Sequence, residues 1–251
     1  PLSCLRPCGA AVEALIKSYG VTALFCTATQ PSLQGFLKEG ITLWEICPHF
    51  EGEYQAFRRV KLRDIGRQSL ASVAGEMSGQ DGALAVVNTK KRAREFFYLL
   101  PREGRFHLSA AMCPAHRGEV LCKIGERLKK GLPCRVASTS LVEAGVDLDF
   151  PAVYREAAGL CSILQAAGRC NREGKRPLQE SVVSVFWPEG KIPDEMQREA
   201  MLYRETAERF EDFCSPEAVR WYSDALHQLE GKLFGKNGLD AKGILSMIQK
   251  G

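Results

Sequence analysis

Short apolar runs alternate with amphipathic stretches through the middle of this chain, and this alternation restricts the fold more than any other feature. The runs predicted to be strands are ALAVV (83–87), RFHLS (105–109), RVA (135–137), AVYR (152–155) and SVVSVFW (181–187). The stretches 90–100, 115–130 and 162–169 have the spacing of amphipathic helices. Buried strands that alternate with helices predict an α/β fold, with a mostly parallel sheet covered by helices on both faces.

The two ends of the chain carry further predicted elements. Residues 9–19 read as an amphipathic helix, and the apolar run 21–26 (VTALFC) after it predicts a buried strand. The run 41–46 (ITLWEI) is also strand-like, and the alternating FRRVKL at 57–62 predicts a strand with its basic residues facing outward. Beyond Pro188, helices without intervening strands are predicted at 194–214, 216–229 and 241–249. We therefore expect a helical extension at the C-terminal end.

Composition excludes several classes of protein. No apolar stretch approaches the roughly 18 residues that a membrane span needs, and no signal peptide is visible, so we expect a cytoplasmic protein without membrane contact. Ten cysteines are scattered without a C-x-x-C pair, which predicts buried reduced thiols. The net charge of +4 is too small to mark the whole chain as a nucleic-acid binder, but residues 1–188 carry +7 and residues 189–251 carry −3.

Three polar segments hold the candidate functional residues, and we expect them where strands end, because parallel sheets gather their chemistry at the carboxyl ends of strands. The first, TAT at 27–29, follows the run 21–26. The second, STSLVEAGVDLDF at 138–150, combines hydroxyls, carboxylates and Gly145 between two predicted strands. The third, QAAGRCNR at 165–172, places Arg169 and Arg172 three residues apart at a helix end, and paired guanidinium groups suit phosphoryl oxygens.

The order and spacing of these segments resemble motifs III, V and VI of superfamily-two helicases. We call them the motif III segment (27–29), the motif V segment (138–150) and the motif VI segment (165–172). The wording TATQP, LSAAMCPAHR, EAGVDLDF and QAAGRCNREG is similar to the CRISPR-associated helicase-nuclease of type I interference systems. This resemblance extends from about residue 22 to residue 174. It implies a two-lobed RecA-like motor that hydrolyses ATP to pull single-stranded DNA, with a separate histidine-aspartate metal nuclease.

The resemblance also implies a role for individual residues. Arg169 and Arg172 would be arginine fingers on the γ-phosphate, and Gln165 would help to order the phosphate or the attacking water. Gly145 and Asp147 would lie near the nucleotide ribose and its Mg²⁺. The residues expected to contact the DNA backbone, or to couple it to the nucleotide, are Thr27, Thr29, Asn88, Thr89, Ser138, Thr139 and Ser140. A crRNA-guided surveillance complex would be the partner that recruits the enzyme to the displaced DNA strand.

The resemblance divides the chain into three parts. Residues 1–48 would end the first RecA-like lobe, residues 49–188 would form the second lobe, and residues 189–251 would be a helical linker or appendage. The chain begins at Pro1 and not at Met, so we expect a piece of a larger enzyme, or one half of a split enzyme, that works with an N-terminal half.

Two ATP-binding motifs and the nuclease are missing from the sequence. There is no G-x-x-x-x-G-K-[ST] P-loop, no DExH box, and no His-Asp pair among the four histidines. ATP and Mg²⁺ would therefore be bound mainly by the other lobe, and we predict no metal site and negligible ATP hydrolysis or DNA cleavage in this chain alone. Two other interpretations stay open, a docking module for the surveillance complex or an inhibitor, and a generic superfamily-two RNA or DNA helicase lobe.

Overall fold

The computed structural model describes residues 4–26, 37, 41–47, 49–143, 145–233, 240 and 243–250. The chain divides into two compact units. One consists of residues 55–203 and holds the sheet, and the other consists of residues 1–54 together with 204–251.

Among the described residues, six strands form one parallel sheet. The strands are β1 (Lys61–Gln68), β2 (Gly82–Val86), β3 (Arg105–Leu108), β4 (Cys134–Ser138), β5 (Ala152–Glu156) and β6 (Val182–Pro188). Their order across the sheet is β1-β6-β5-β2-β4-β3, and every neighbouring pair is parallel. The predicted α/β class with a RecA-like lobe is therefore confirmed.

Helices connect the strands and also form the ends of the chain. They are α1 (Leu5–Tyr19), α2 (Phe50–Ala56), α3 (Leu70–Ser78), α4 (Lys90–Leu99), α5 (Pro114–Lys129), α6 (Leu160–Ala167), α7 (Asp194–Arg209), α8 (Pro216–Leu233) and α9 (Ile244–Lys250). The run of helices after β6 confirms the predicted C-terminal helical extension. Within the described part of the chain, no helix has the length and apolar character needed to cross a bilayer.

The core has two layers because successive strand residues point to opposite faces of the sheet. On one face, Leu84, Val136 and Val153 are buried together with Ile124 of α5 and Ala166 of α6. On the other face, Ala83, Ala85 and Tyr154 of the sheet are buried together with Met77 of α3 and Phe96 of α4. Strands β2, β4 and β5 are covered on both faces and buried along their whole length, which explains why they read as largely apolar runs.

Three predicted strands near the N-terminal end differ from the structure. Residues 21–26 and 41–46 have no regular secondary structure, and Leu24 and Trp44 are 72% and 84% exposed. A strand is stabilised by hydrogen bonds to a neighbouring strand and by burial, and neither run has such a neighbour among the described residues. The alternating run at 57–62 lies mostly before β1, which begins at Lys61.

The prediction that the cysteines are buried was wrong for most of them. Only Cys134, Cys170 and Cys214 are buried, and five of the ten are exposed: Cys8, Cys26, Cys47, Cys113 and Cys122. Burial raises the pKa of Cys134 to about 11 and that of Cys170 to about 12. A count of cysteines cannot show which of them lie on outward faces.

Alkylation should therefore separate the two groups of thiols. Iodoacetamide reacts with thiolates, so at about pH 8 we expect Cys113 and Cys122 to be modified while Cys134 and Cys170 stay protected. The raised pKa values also mean that the folded chain retains thiol protons that the unfolded chain loses, so the free energy of unfolding should fall as the pH rises above about 9. Peptide mass spectrometry measures the labelling, with the denatured chain as control. Equal labelling of Cys134 and Cys113 in the folded chain would contradict the burial.

Candidate functional site

The motif V segment crosses one face of the sheet. It leaves the carboxyl end of β4 at Ser138 and must reach the amino end of the parallel strand β5 at Ala152, so it runs back along the sheet. A single turn of 3-10 helix at Ser140–Val142 begins this path. Helix α6 begins after the carboxyl end of β5 and also runs back along the sheet. The motif VI segment ends just beyond α6. It therefore lies at the edge of the sheet that the amino ends of the strands form. We call this the amino edge and the opposite one the carboxyl edge.

At the amino edge, the acidic side chains of the motif V segment meet Arg172 of the motif VI segment and Arg176 just beyond it. Arg172 Nε lies 2.8 Å from Asp147 Oδ1, and both side chains are open to solvent, at 44% and 90% exposure. The backbone N–H of Arg172 donates to Asp149 Oδ1 at 2.7 Å, and Arg176 contacts the same carboxylate at 3.0 Å. A backbone bridge between Phe150 and Cys170 fixes the two segments side by side.

Arg169 differs from Arg172, although both belong to the same motif. Its side chain donates to three backbone carbonyls of the motif V segment, at 2.7 Å to Val142, 2.7 Å to Glu143 and 2.6 Å to Val146. The residue is only 7% exposed, and burial, followed by the nearby charge of Arg172, lowers its pKa. Helix α6 ends at Ala167, so the two arginines do not share a helix face.

Asn171 lies between the two arginines, in the turn that follows α6, and its side chain stabilises this turn. It has a left-handed φ of 47°, which Asn tolerates better than most residues. Its side-chain amide donates to the carbonyls of Arg59 and Arg176, and its Oδ1 accepts from the N–H of Arg176. The turn therefore presents Arg172 to solvent while Arg169 stays inside.

The carboxyl edge contains two predicted DNA-contacting residues that follow β2, Asn88 and Thr89. The side-chain amide of Asn88 donates to the Glu156 carboxylate at 3.1 Å and to the Ala157 carbonyl at 2.8 Å. Its Oδ1 accepts from Arg155 at 2.6 Å. Thr89 caps α4, because its Oγ1 accepts from the N–H of Arg92 at 3.2 Å. Both side chains thus have partners inside the protein.

The three hydroxyls that follow β4 differ in exposure. Ser138 is fully buried and its Oγ donates to the Thr139 carbonyl at 2.8 Å, and Thr139 is 8% exposed. Ser140 is exposed and is the hydroxyl of this group that a ligand can reach. These residues lie across the sheet from Arg172, so the structure separates the predicted DNA contacts from the exposed arginine of the motif VI segment. The Arg169 guanidinium, in contrast, reaches back to the carbonyls of Val142 and Glu143, close after Ser140.

The remaining predicted residues are placed as follows. Gly145 is exposed and has a φ of 70°, and a Cβ there would meet nothing within 4 Å, so the glycine is needed for its backbone conformation. Gln165 is exposed on α6. Thr27 and Thr29 of the motif III segment lie outside the described residues. In the part of the chain that the structure describes, no group of three or more His, Cys, Asp or Glu side chains is arranged to hold a metal ion.

The comparisons with known proteins identify a family that resembles part of this chain. Residues 79–175, which contain β2 to β5 and both motif segments, match the family model described as CRISPR-associated nuclease/helicase Cas3, C-terminal. This segment, called the Cas3-like domain below, is similar to the C-terminal part of that family. A curated CRISPR-associated nuclease/helicase Cas3 of Haloferax volcanii is 36% identical to the chain over 112 residues, which are 43% of the chain and 10% of the relative.

Solved structures share the fold of the Cas3-like domain. The crystal structure of T. fusca Cas3 superposes with a TM-score of 0.54 at 19% identity, over 73% of this chain and 27% of that one. A chain of a CRISPR RNA-guided surveillance complex in a pre-nicking state gives a TM-score of 0.54 at 18% identity, over 74% of this chain and 28% of that one. The chain therefore spans about a tenth of the curated relative and little more than a quarter of these two structures.

The sequence did not single out the buried charges behind the Cas3-like site. Arg155 and Glu156 at the end of β5 are both fully buried, although they are charged. Burial lowers the pKa of Arg155 and raises that of Glu156. The signal in the sequence was the charged pair in the otherwise apolar run AVYRE, since charges are rarely buried without partners.

Proposed function

We propose that this chain supplies the second RecA-like lobe of an ATP-dependent motor that moves along single-stranded DNA in CRISPR interference. The observation that carries this proposal is the Cas3-like domain at 79–175, in which the motif V and motif VI segments meet at one exposed edge. Arginine and carboxylate side chains exposed together suit the phosphates and the ribose of a nucleotide.

We assign Arg172 as the arginine that contacts the γ-phosphate, because it is the exposed arginine of the motif VI segment. In this role its charge would stabilise the negative charge that develops on the transferred phosphoryl group. Asp147, now paired with Arg172, would accept from a ribose hydroxyl, and Gln165 would help to order the phosphate or the water. Arg169 would act one step removed, by holding the motif V segment in place.

ATP and Mg²⁺ fit this edge only in part. Asp147 and Asp149 are each paired with an arginine, which leaves little free carboxylate for a divalent cation. The sequence of the chain also contains no P-loop. We therefore propose that the other lobe holds Mg²⁺ and most of the nucleotide.

For the DNA, we propose contacts at the carboxyl edge through Ser140 and the backbone around it. The strand ends at Asn88, Thr89, Ser138 and Thr139 would shape this edge, and Thr27 and Thr29 would couple it to the nucleotide. Contacts of this kind position phosphates without reading base identity. A crRNA-guided surveillance complex is the proposed partner. DNA cleavage would be the task of a part of the enzyme outside these 251 residues, since the family that residues 79–175 match is described as a nuclease/helicase and the sequence has no His-Asp pair.

The chain alone should not hydrolyse ATP above background, with or without single-stranded DNA. An arginine stabilises a transition state that the P-loop lysine and Mg²⁺ must first assemble. When the chain is combined with a first RecA-like lobe that carries a P-loop, DNA-stimulated hydrolysis should appear. A phosphate-release assay of the chain, of the P-loop lobe and of their mixture measures this.

Two outcomes would contradict the proposal. Hydrolysis by the isolated chain that disappears in Arg172→Ala would show that the chain contains a complete site. A mixture that hydrolyses ATP no faster than the P-loop lobe alone would show that the chain is not a motor lobe. The codons on either side of this segment in its gene are an independent check, since a P-loop and DExH box upstream are expected.

A further inference from the structure

A chain of buried charged and polar side chains links the two edges of the sheet. It begins at Glu143, whose main-chain carbonyl accepts from Arg169 at 2.7 Å. The carboxylate of the same residue lies 3.1 Å from Arg155 Nε and accepts from Ser162 Oγ at 2.7 and 2.8 Å. Glu143 thus contacts the motif VI arginine through its backbone and the end of β5 through its side chain.

Arg155 continues this path to the carboxyl edge. Its guanidinium donates to Asn88 Oδ1 at 2.6 Å, to the Glu156 carbonyl at 2.8 Å and to Ser162 Oγ at 2.8 Å. Asn88 in turn donates to the Glu156 carboxylate, which forms an ion pair with Arg92 at the start of α4. Of the five residues of β5, Arg155 and Glu156 at its carboxyl end belong to this path, and the Arg169 side chain connects it to the amino edge.

Burial makes this path stiff. Arg155 and Glu156 are fully buried, and the Glu143 side chain is 8% exposed. Removing the partner of a buried charge costs far more than removing a surface ion pair, because the remaining charge is left without compensation. A displacement of the motif V segment at Glu143 therefore has to move Arg155, and with it Asn88, or break contacts that water cannot replace.

We infer that the Glu143–Arg155 pair is a positioning device that couples Arg169, and through the turn at Asn171 also Arg172, to Asn88 after β2 at the DNA-facing edge. This inference rests on the proposed function, since it assigns ATP to one edge and DNA to the other. Neither Glu143 nor Arg155 contacts a ligand. Their role is to make the position of the motif V segment and that of Asn88 depend on each other.

The first experiment uses the chain alone and needs no ATP hydrolysis. Amide hydrogen exchange is measured by NMR at Glu143 and Phe150, whose N–H groups donate to Ser140 and Arg169 at 3.0 and 2.8 Å. Asn88→Ala, at the far end of the path, should raise exchange at both amides at least about fivefold. Thr89→Ala is the matched control, because it removes the neighbouring cap of α4 but leaves every side-chain contact of Glu143, Arg155 and Asn88 in place. Unchanged exchange in Asn88→Ala, or an equal rise in Thr89→Ala, overturns the inference.

The second experiment uses the chain combined with a first lobe that carries a P-loop. Glu143→Gln keeps the shape of the side chain and removes its charge. We expect the stimulation of kcat by single-stranded DNA to fall at least about fivefold, while hydrolysis without DNA stays within about twofold. Glu95→Gln is the matched control, since Glu95 forms an exposed ion pair with Lys91 at 4.0 Å.

The two experiments separate the inference from the proposed function. If the wild-type mixture does not hydrolyse ATP, the proposed function fails, and hydrogen exchange still decides whether the two edges are linked. If the mixture is active and Glu143→Gln leaves DNA stimulation intact, the coupling is refuted. An equal loss of hydrolysis with and without DNA would show a purely structural role and would overturn the inference as well.

Discussion

Arg172→Ala should reduce ATP hydrolysis by the combined lobes about a thousandfold or more, while the chain keeps its stability and ATP still binds. An arginine that stabilises the transferred phosphoryl group contributes this much to kcat. The side chain is 44% exposed and its ion partner Asp147 is 90% exposed, so removing it leaves no buried charge behind. Single-turnover kinetics and nucleotide binding, measured on the same preparation, separate the chemical step from affinity.

Arg169→Ala is the informative comparison, because its defect should have a different origin. In the wild-type chain, Arg169 donates three hydrogen bonds to carbonyls of the motif V segment, and this change removes all three. Each hydrogen bond to a charged group contributes about 1.5–3 kcal/mol, so the free energy of unfolding should fall by at least about 2 kcal/mol. Hydrolysis should be lost as well, but together with thermal stability. If Arg172→Ala leaves turnover unchanged, the assignment of Arg172 is wrong.

The fold could be predicted where the sequence carries a local signal of burial. The runs at 83–87 and 152–155 became β2 and β5 nearly as predicted, because strands covered on both faces must be apolar throughout. The run 21–26 is just as apolar, but it lies in the other unit and has no strand beside it among the described residues. Apolar character shows that a run favours burial, and whether it is buried depends on a partner elsewhere in the chain.

From the sequence, the segments that form the site could be predicted, but the arrangement of their side chains could not. The sequence placed Arg169 and Arg172 in one motif with one role, since helical spacing would make them neighbours. The early end of α6 and the left-handed turn at Asn171 separate them. The partners of Arg155, Glu143 and Asn88, lie 12 and 67 residues away in sequence, so no local pattern indicates that these charges meet.

Gly104→Ala should destabilise the unit that holds the sheet by about 3 kcal/mol or more. Gly104 precedes β3 and has a φ of 67°, a conformation that costs a residue with a Cβ about 1–2 kcal/mol. A Cβ there would also lie 2.0 Å from the carbonyl oxygen of Pro133. That contact cannot relax easily, because the Gly104 carbonyl accepts from the N–H of Arg135 at 2.7 Å, where β3 and β4 begin to pair.

Gly131→Ala isolates the steric contribution. Gly131 has nearly the same φ, 63°, but a Cβ there would meet nothing within 4 Å. Gly131→Ala should therefore lower the free energy of unfolding only by the conformational strain, about 1–2 kcal/mol. At about 2–4 °C per kcal/mol for a chain of this size, the Tm of Gly104→Ala should fall below that of Gly131→Ala by several degrees in a calorimetric scan. Equal Tm values would contradict this prediction. They would mean that β3, the edge strand next to β4, can move away from Pro133 to make room for a Cβ at position 104.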